Sequence, residues 1–236
     1  MLVIDAGNTR IKLALFENDE IVKFATLSSE EISSIEAVLK DFSYSKAIIS
    51  SVRSEEDTNF ILSNLKNCFH VKDLIYPIEI SYLSKDTLGT DRIANAVAAK
   101  MKSKGNALVI DVGTCIKFDF VNENGVYEGG SISPGINLRY KSLNDYTAKL
   151  PLLNETSRID FLGKTTHECI QSGVLNGIQG EINYLISSYS QKYKDLTIFV
   201  TGGDASHFDY SDKNNIFVLE NLSLFGLASI LKANEL

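Results

Sequence analysis

The first seventeen residues open on an apolar run, and after a polar turn larger apolar residues recur at every second position. LVIDAGNTRIKLALFEND reads as an apolar strand, a Gly-Asn turn and a second strand in which Ile11, Leu13 and Leu15 alternate with Lys12 and Ala14. That alternation predicts a sheet with two different faces. Asp19-Glu20 turns the chain into a third strand, EIVKFATL. In SSEEISSIEAVLKDF the period changes to that of a helix, and Ser28 with Glu31 forms a capping box in front of it. KAIISSV, from Lys46 to Val52, reads as a buried strand, and the segment after Ser54 as a helix carrying Phe60, Ile61 and Leu65.

Near residue 106 the same order begins again. ALVIDVGTCIKFDFV predicts strand, turn and strand, and Asn124-Gly125 is a strong hairpin signal into VYEGGSIS. Helices are expected from about Pro134 to Leu150 and from about Thr165 to Lys192. DLTIFVTGG and NIFVL read as strands, and the tail from Leu222 as a last helix. Asp-x-Gly occurs at Asp5/Gly7 and at Asp111/Gly113, 106 positions apart, so an internal duplication is the economical explanation. The expected fold is α/β with two lobes, residues 1–104 and 105–236, each β-β-β-α-β-α with a mixed sheet. DRIANAVAAKMKS joins them without a low-complexity linker, so the lobes are expected to pack around a shared cleft.

Composition narrows the function classes. A net charge of −7 on 236 residues provides no basic footprint for nucleic acid. No apolar run is long enough to span a membrane, and no export signal is visible. The three cysteines (Cys68, Cys115 and Cys169) show neither C-x-x-C nor Cys/His ligand spacing, which points to a reducing, cytoplasmic setting. His70, His167 and His207 form no ligand pattern and are expected at the surface or in caps.

The candidate chemistry lies in the turns. Asp5, Gly7, Asn8 and Thr9, with Lys12 on the next strand, offer a carboxylate, a glycine that permits close backbone approach, and donors to phosphate oxygens. A hairpin whose Asp caps its own turn is the plain alternative. The second copy, Asp111, Gly113 and Thr114, favours a metal–nucleotide phosphate group held by both turns. Asp119 is a further carboxylate or a solvated strand residue. Gly202 and Gly203, after an apolar strand, and the run from Gly129 to Gly135 either make room for a ligand or only bend the chain. Asp91, in Leu88-Gly89-Thr90-Asp91-Arg92, either caps a helix or orients a substrate hydroxyl, with Arg92 then binding a polar or anionic group.

Taken in order, these segments resemble type III pantothenate kinases, members of the actin-like ATPase and sugar-kinase superfamily with its duplicated ribonuclease-H-like fold. DAGNTRIK, ISSV, Tyr82 seven residues before Gly89 of LGTDR, DVGTCIKFD, GGSISPG with the downstream AKLP, Thr166 seven before Gly173, and TGGD all follow the family's order. The resemblance implies ATP phosphates at Asp5 to Lys12 and at Gly113-Thr114, with Gly202 and Gly203 near the nucleotide. It implies the magnesium of the nucleotide at Asp5 and a monovalent cation, potassium or ammonium, at Asp111. It implies Tyr82, Gly89, Thr90, Asp91 and Arg92 around pantothenate, with Asp91 as the base. It also implies a homodimer whose pantothenate pocket lies at the subunit interface, with Thr166 reaching in from the partner. The implied reaction transfers the γ-phosphoryl group of ATP to pantothenate. Another small-molecule kinase of the superfamily and a nucleotide-binding regulatory protein are the alternatives. Lys85 stands where the family usually has proline, and Lys117 and Phe118 where it often has threonine or another small polar residue.

Overall fold

The computed structural model describes residues 1–210 and 215–234. The chain runs β1 (Leu2–Ala6), β2 (Arg10–Glu17), β3 (Glu20–Ser28), α1 (Ile35–Leu39), β4 (Ala47–Ser51), α2 (Glu55–Ser63), β5 (Cys68–His70), β6 (Glu79–Ile80), α3 (Thr90–Lys102) and β7 (Ala107–Val112). It continues with β8 (Cys115–Val121), β9 (Val126–Pro134), α4 (Ile136–Asp145), α5 (Thr166–Lys192), β10 (Thr197–Thr201), β11 (Ile216–Val218) and α6 (Leu222–Ala233). One sheet has the order β3-β2-β1-β4-β5 and the other β11-β10-β7-β8-β9-β6. Read from β9 to β11, the second repeats the order of the first and adds β6 at its edge. The first sheet is mixed: β1 pairs antiparallel with β2 and parallel with β4. In the second, β10 pairs parallel with both β7 and β11. The fold is the duplicated α/β architecture expected from the sequence.

By contacts the chain divides into two compact units. One contains Met1–Lys104, Val121–Gly129 and Asn221–Leu236; the other contains Gly105–Phe120 and Gly130–Glu220. Residues 211–214 and 235–236 of the expected second lobe lie outside the described residues. These contact units differ from the expected 1–104/105–236 division in two places, since Val121–Gly129 and Asn221–Leu236 group with the first unit. Helix α6 packs on α3, β1 and β4, and Gly226 permits the approach, since a methyl there would lie 1.8 Å from Ala94 O.

In the first unit the sheet is buried on both faces, which the expected contrast of faces did not anticipate. Leu2, Ile4, Ile11 and Leu13 pack with Ile35 of α1 and Ile61 of α2. Val3, Ala14 and Phe16 point the other way and pack with Val97 of α3 and Leu227 of α6. The period of two is real, but both sets are apolar at the strand centre. In the second unit Leu108, Ile110, Ile116 and Phe118 pack against Ile136 and Tyr140 of α4 and Val174, Ile178 and Ile182 of α5. Each fully buried aliphatic side chain contributes about 1.5–3 kcal/mol, so these layers make a rigid support for the turns at the strand ends.

Two expected helices are shorter than the pattern suggested. The Ser28–Glu31 capping box is present, but it opens a 3₁₀ turn over Ser29–Ser34, and only Ile35–Leu39 is α-helical. The helix expected to reach Leu150 ends at Asp145. There the Asn144 side chain donates to Leu150 O at 2.8 Å and Thr147 Oγ1 to Leu143 O, so local side-chain bonds replace the next helical turn. Pro151 reinforces this by disfavouring helical backbone at Leu150.

Candidate active site

In the first unit the chemistry gathers at the ends of β1 and β4. Asp5 stands opposite Lys12 across the β1–β2 hairpin and opposite Ser50 on β4. Ser223 Oγ of α6 donates to Asp5 Oδ2 at 2.5 Å, which fixes the carboxylate. Gly7 N donates to Arg10 O at 3.0 Å, closing the turn. From the other side Arg53 donates to Gly7 O at 3.2 Å and to Ser29 O at 3.3 Å, and it is held by Asp57 at 2.7 Å. Asn8 and Thr9, at the tip of this braced hairpin, are exposed.

Ser50 continues the arrangement, because its hydroxyl shares a 2.8 Å hydrogen bond with Thr90 Oγ1 at the start of α3. The strand beside Asp5 is thereby tied to the residue before Asp91. Gly89 holds the N-cap position of α3 and Asp91 is the helix's second residue, so the simple capping reading of Asp91 does not apply. A carboxylate there is still favoured by the helix dipole. A methyl on Gly89 would lie 2.5 Å from Asp91 Oδ1, so the absent side chain is what leaves room for the carboxylate. Arg92 is buried, at 5% exposure. The Tyr82 ring lies 3.4 Å from where a Gly129 methyl would stand and is tilted against Tyr127, 6.1 Å between centroids. Asp5, Lys12, Gly7 and the Gly89–Arg92 run therefore belong to one unit.

In the second unit Asp111, near the end of β7, stands opposite Thr201 of β10. Three close approaches hold the turn after it. Gly113 N donates to Cys115 O at 3.2 Å, Gly135 N to Thr114 O at 3.0 Å, and Asp204 N to Val112 O at 3.0 Å. A methyl at Gly135 would lie 2.0 Å from Gly113 O, and one at Gly202, whose φ is +102°, 2.2 Å from Val112 O. Gly113 and Gly203 differ from these, for a methyl on either meets no atom within 4 Å. Gly135 and Gly202 are thus required for packing, whereas Gly113 and Gly203 border open space. In the glycine run, Gly130 is needed beneath Phe118, since a methyl there would lie 1.6 Å from Phe118 O. Glu181 of α5 braces this region by accepting from Ser133 Oγ at 2.5 Å and pairing with Arg139, while Arg139 Nε donates to Pro134 O at 2.8 Å.

Lys117 Nζ of β8 lies 2.7 Å from Asp111 Oδ2, with the two side chains only 17% and 16% exposed. Asp119 is fully buried, which excludes its reading as a solvated strand residue. Thr166 lies elsewhere, exposed in the first turn of α5, where it lines a cavity of about 790 Å³ with Arg139, Leu143, Lys164, Cys169 and Val174. His70 acts as a cap, accepting from Lys72 N at 3.1 Å, and His167 pairs with Glu155 at 3.1 Å. Among the described residues no three His, Cys, Asp or Glu side chains gather as a metal cage.

Several supporting residues were not singled out from sequence. Ser223 is 218 positions from Asp5, and no local pattern signals the pairing. Arg53 carried a weak signal, a cation four residues before Asp57. Ser50 was read only as part of a buried strand and of the ISSV segment, and Lys117 only as a departure from the family's pattern.

The model of the type III pantothenate kinase family matches residues 1–188. A type III pantothenate kinase from Christiangramia forsetii is 41% identical over 239 residues, covering 99% of this chain and 98% of the relative. Of the solved structures, one from Campylobacter jejuni, assigned to the Baf family of transcriptional activators, superposes with a TM-score of 0.67 at 24% identity, covering 100% of this chain and 99% of that one. The inorganic polyphosphate/ATP-glucomannokinase of Arthrobacter sp. strain KM superposes with a TM-score of 0.53 at 12% identity, covering 99% and 98%. These two structures bear on the fold, which they share with sugar kinases. With a family model over most of the chain and a relative of 41% identity along nearly all of it, the chain belongs to the type III pantothenate kinase family.

Proposed function

We propose that this chain transfers the γ-phosphoryl group of ATP to the primary hydroxyl of pantothenate, giving 4′-phosphopantothenate, the first step of coenzyme A synthesis. Family membership supports the reaction and its class, an ATP-dependent phosphotransferase acting on an alcohol. The observation that carries the residue assignment is the link from Asp5 through Ser50 to Thr90, which ties the phosphate hairpin to the helix start bearing Asp91. Asp5, Gly7, Asn8, Thr9 and Lys12 contact the phosphates of magnesium-bound ATP, as do Gly113 and Thr114, and Gly202 and Gly203 border the nucleotide. Asp5, an oxygen donor of fixed orientation, suits the magnesium that enters with ATP. Tyr82, Gly89, Thr90 and Arg92 form the pantothenate contacts.

In the reaction the pantothenate oxygen forms a bond to the γ-phosphorus as the bond to the bridging oxygen breaks, and ADP leaves. Asp91 accepts a hydrogen bond from the attacking hydroxyl and takes its proton late. The transition state is loose, so placement and charge neutralisation dominate. Held rigid on both sides, the turns add little reorganisation when phosphate arrives.

A monovalent cation at Asp111, which the resemblance implies, does not fit the residues present. The carboxylate is already matched by the Lys117 ammonium at 2.7 Å. A homodimer remains the reading for the oligomeric state. Its support is the set of large apolar side chains left in solvent on α5 and on the segment between α4 and α5, where Tyr146, Phe161, Leu162 and Tyr184 are 65–89% exposed. Light scattering should give twice the 26.1 kDa chain mass. A cytoplasmic location is part of the same reading, since ATP is its phosphoryl donor.

The reaction is tested with magnesium, ATP and a panel of acceptors, with products followed by mass. Phosphopantothenate alone is expected. Phosphorylation of a sugar with pantothenate untouched would transfer the chain to another acceptor class.

A further inference from the structure

The internal repeat extends past the two Asp-x-Gly turns into the returning strands. The first turn reads Asp5-Ala6-Gly7-Asn8-Thr9-Arg10-Ile11-Lys12, and the second reads Asp111-Val112-Gly113-Thr114-Cys115-Ile116-Lys117, shorter by one turn residue. Each strand-end aspartate is therefore followed, on the returning strand, by Ile-Lys. In the first copy Lys12 stands opposite Asp5 in the hairpin register. In the second, Lys117 meets its aspartate directly, Nζ to Oδ2 at 2.7 Å. The 17% and 16% exposure of the two side chains means that solvent screens this pair poorly.

We propose that Lys117 is the resident cation of the second phosphate turn, its ammonium standing where a monovalent cation would otherwise neutralise Asp111, so that phosphoryl transfer by this chain needs no added potassium or ammonium. The inference rests on the assignment of nucleotide phosphates to Gly113 and Thr114. An ammonium ion and a lysine ammonium carry the same charge and the same kind of N–H donors, and Lys117 holds its group covalently on a strand whose neighbours are buried. A second cation brought to Asp111 would face the repulsion of the first. The turn geometry agrees, because Gly113 N, Gly135 N and Asp204 N are each engaged by backbone carbonyls that fix the peptide planes around Asp111. The positive charge that a bound cation would bring to Asp111 is supplied there by Lys117.

The test uses the intact protein in potassium, sodium and choline chloride at equal ionic strength. The affinity for magnesium-bound ADP is read by calorimetry and the rate by product mass. Coupling between an effector ion and a ligand is typically about 5–150-fold, so a true cation site would show at least about a five-fold gain in potassium over choline. The expected result is a change of less than about two-fold in both readouts, well below that range. A gain of about five-fold or more in the unaltered protein overturns the proposal. Lys117→Thr, which opens the position, is expected to bind nucleotide weakly in choline and to recover in potassium. Full affinity of this variant in choline also overturns the proposal. If it fails to fold, the salt series on the unaltered protein still decides. Because nucleotide affinity is read without acceptor, absence of phosphopantothenate in every salt would count against the proposed reaction and leave this comparison standing.

Discussion

A methyl group on Gly89 would collide with the Asp91 carboxylate, whose Oδ1 lies 2.5 Å from that position. The φ of Gly89 is −60°, an ordinary value, so the cost of Gly89→Ala falls on the carboxylate's placement and not on the backbone. Steady-state kinetics of this variant should show kcat reduced by about ten-fold or more, in the range of a mispositioned catalytic group, with nucleotide affinity unchanged. The neighbouring pair Gly202-Gly203 should separate in the opposite way. Gly202→Ala forces a side chain against Val112 O at a φ of +102° and should lower stability by about 1–3 kcal/mol in urea unfolding. Gly203→Ala meets no protein atom, so unfolding should be unchanged while nucleotide binding weakens. The sequence showed two adjacent glycines after a strand and nothing to distinguish them, because φ and the approach of Val112 are set by tertiary packing. The strand-end placement of Asp5, Gly7 and Asp111 was legible because Asp-x-Gly after an apolar run is a local turn signal. Ser223 was not, since its partner is on the first strand and its own helix reads as mainly apolar.

At the scale of elements, strands were easier to read than short helices. β1, β2, β4, β7 and β8 were visible as apolar runs between turn residues, and α5 was visible as a long helical stretch, which a Thr165–Glu168 capping box opens in the structure. α1 and the end of α4 were overestimated, since Ser, Asn and Thr side chains bonded to the backbone where the helical pattern alone predicted further turns. The contact of α6 with α3 was invisible to any local pattern, yet it is narrow enough to test. Gly226→Ala places a methyl 1.8 Å from Ala94 O and should cost about 1–3 kcal/mol by overpacking, read as a lower melting temperature. Loss of stability there also loosens Ser223, so the same variant should lose activity below its melting point. The β5 end carries a pH effect. Burial, and then Lys72, lower the pKa of His70 below its ordinary 6.5, and the neutral ring accepts the Lys72 N–H. Between the lowered value and 6.5 the unfolded chain holds more protons than the folded one, so this residue's contribution is intact above 6.5 and is lost as pH falls through the folded value. Melting temperatures followed downward from neutral pH should fall more for the natural protein than for His70→Asn.

Across the whole molecule the duplication is the most informative feature, because one strand order, 3-2-1-4-5, recurs as 9-8-7-10-11. A repeated turn on a repeated scaffold places a carboxylate and a lysine at the same points of two sheets, and the two copies then diverge in use. In the first, Asp5 is held by a serine hydroxyl and is the residue proposed for the metal of the nucleotide; in the second, Asp111 is held by Lys117. This was only partly legible, for the repeat was visible in sequence but the ion pair required coordinates. The measurement closest to the central claim is the single-turnover rate of phosphopantothenate formation by Asp91→Asn beside the unaltered protein, with nucleotide affinity measured on both. The account predicts a rate lower by about 10²–10⁴-fold, equivalent to roughly 3–5 kcal/mol, with nucleotide affinity retained. A variant that keeps a near-normal rate would contradict it and remove Asp91 from the chemistry.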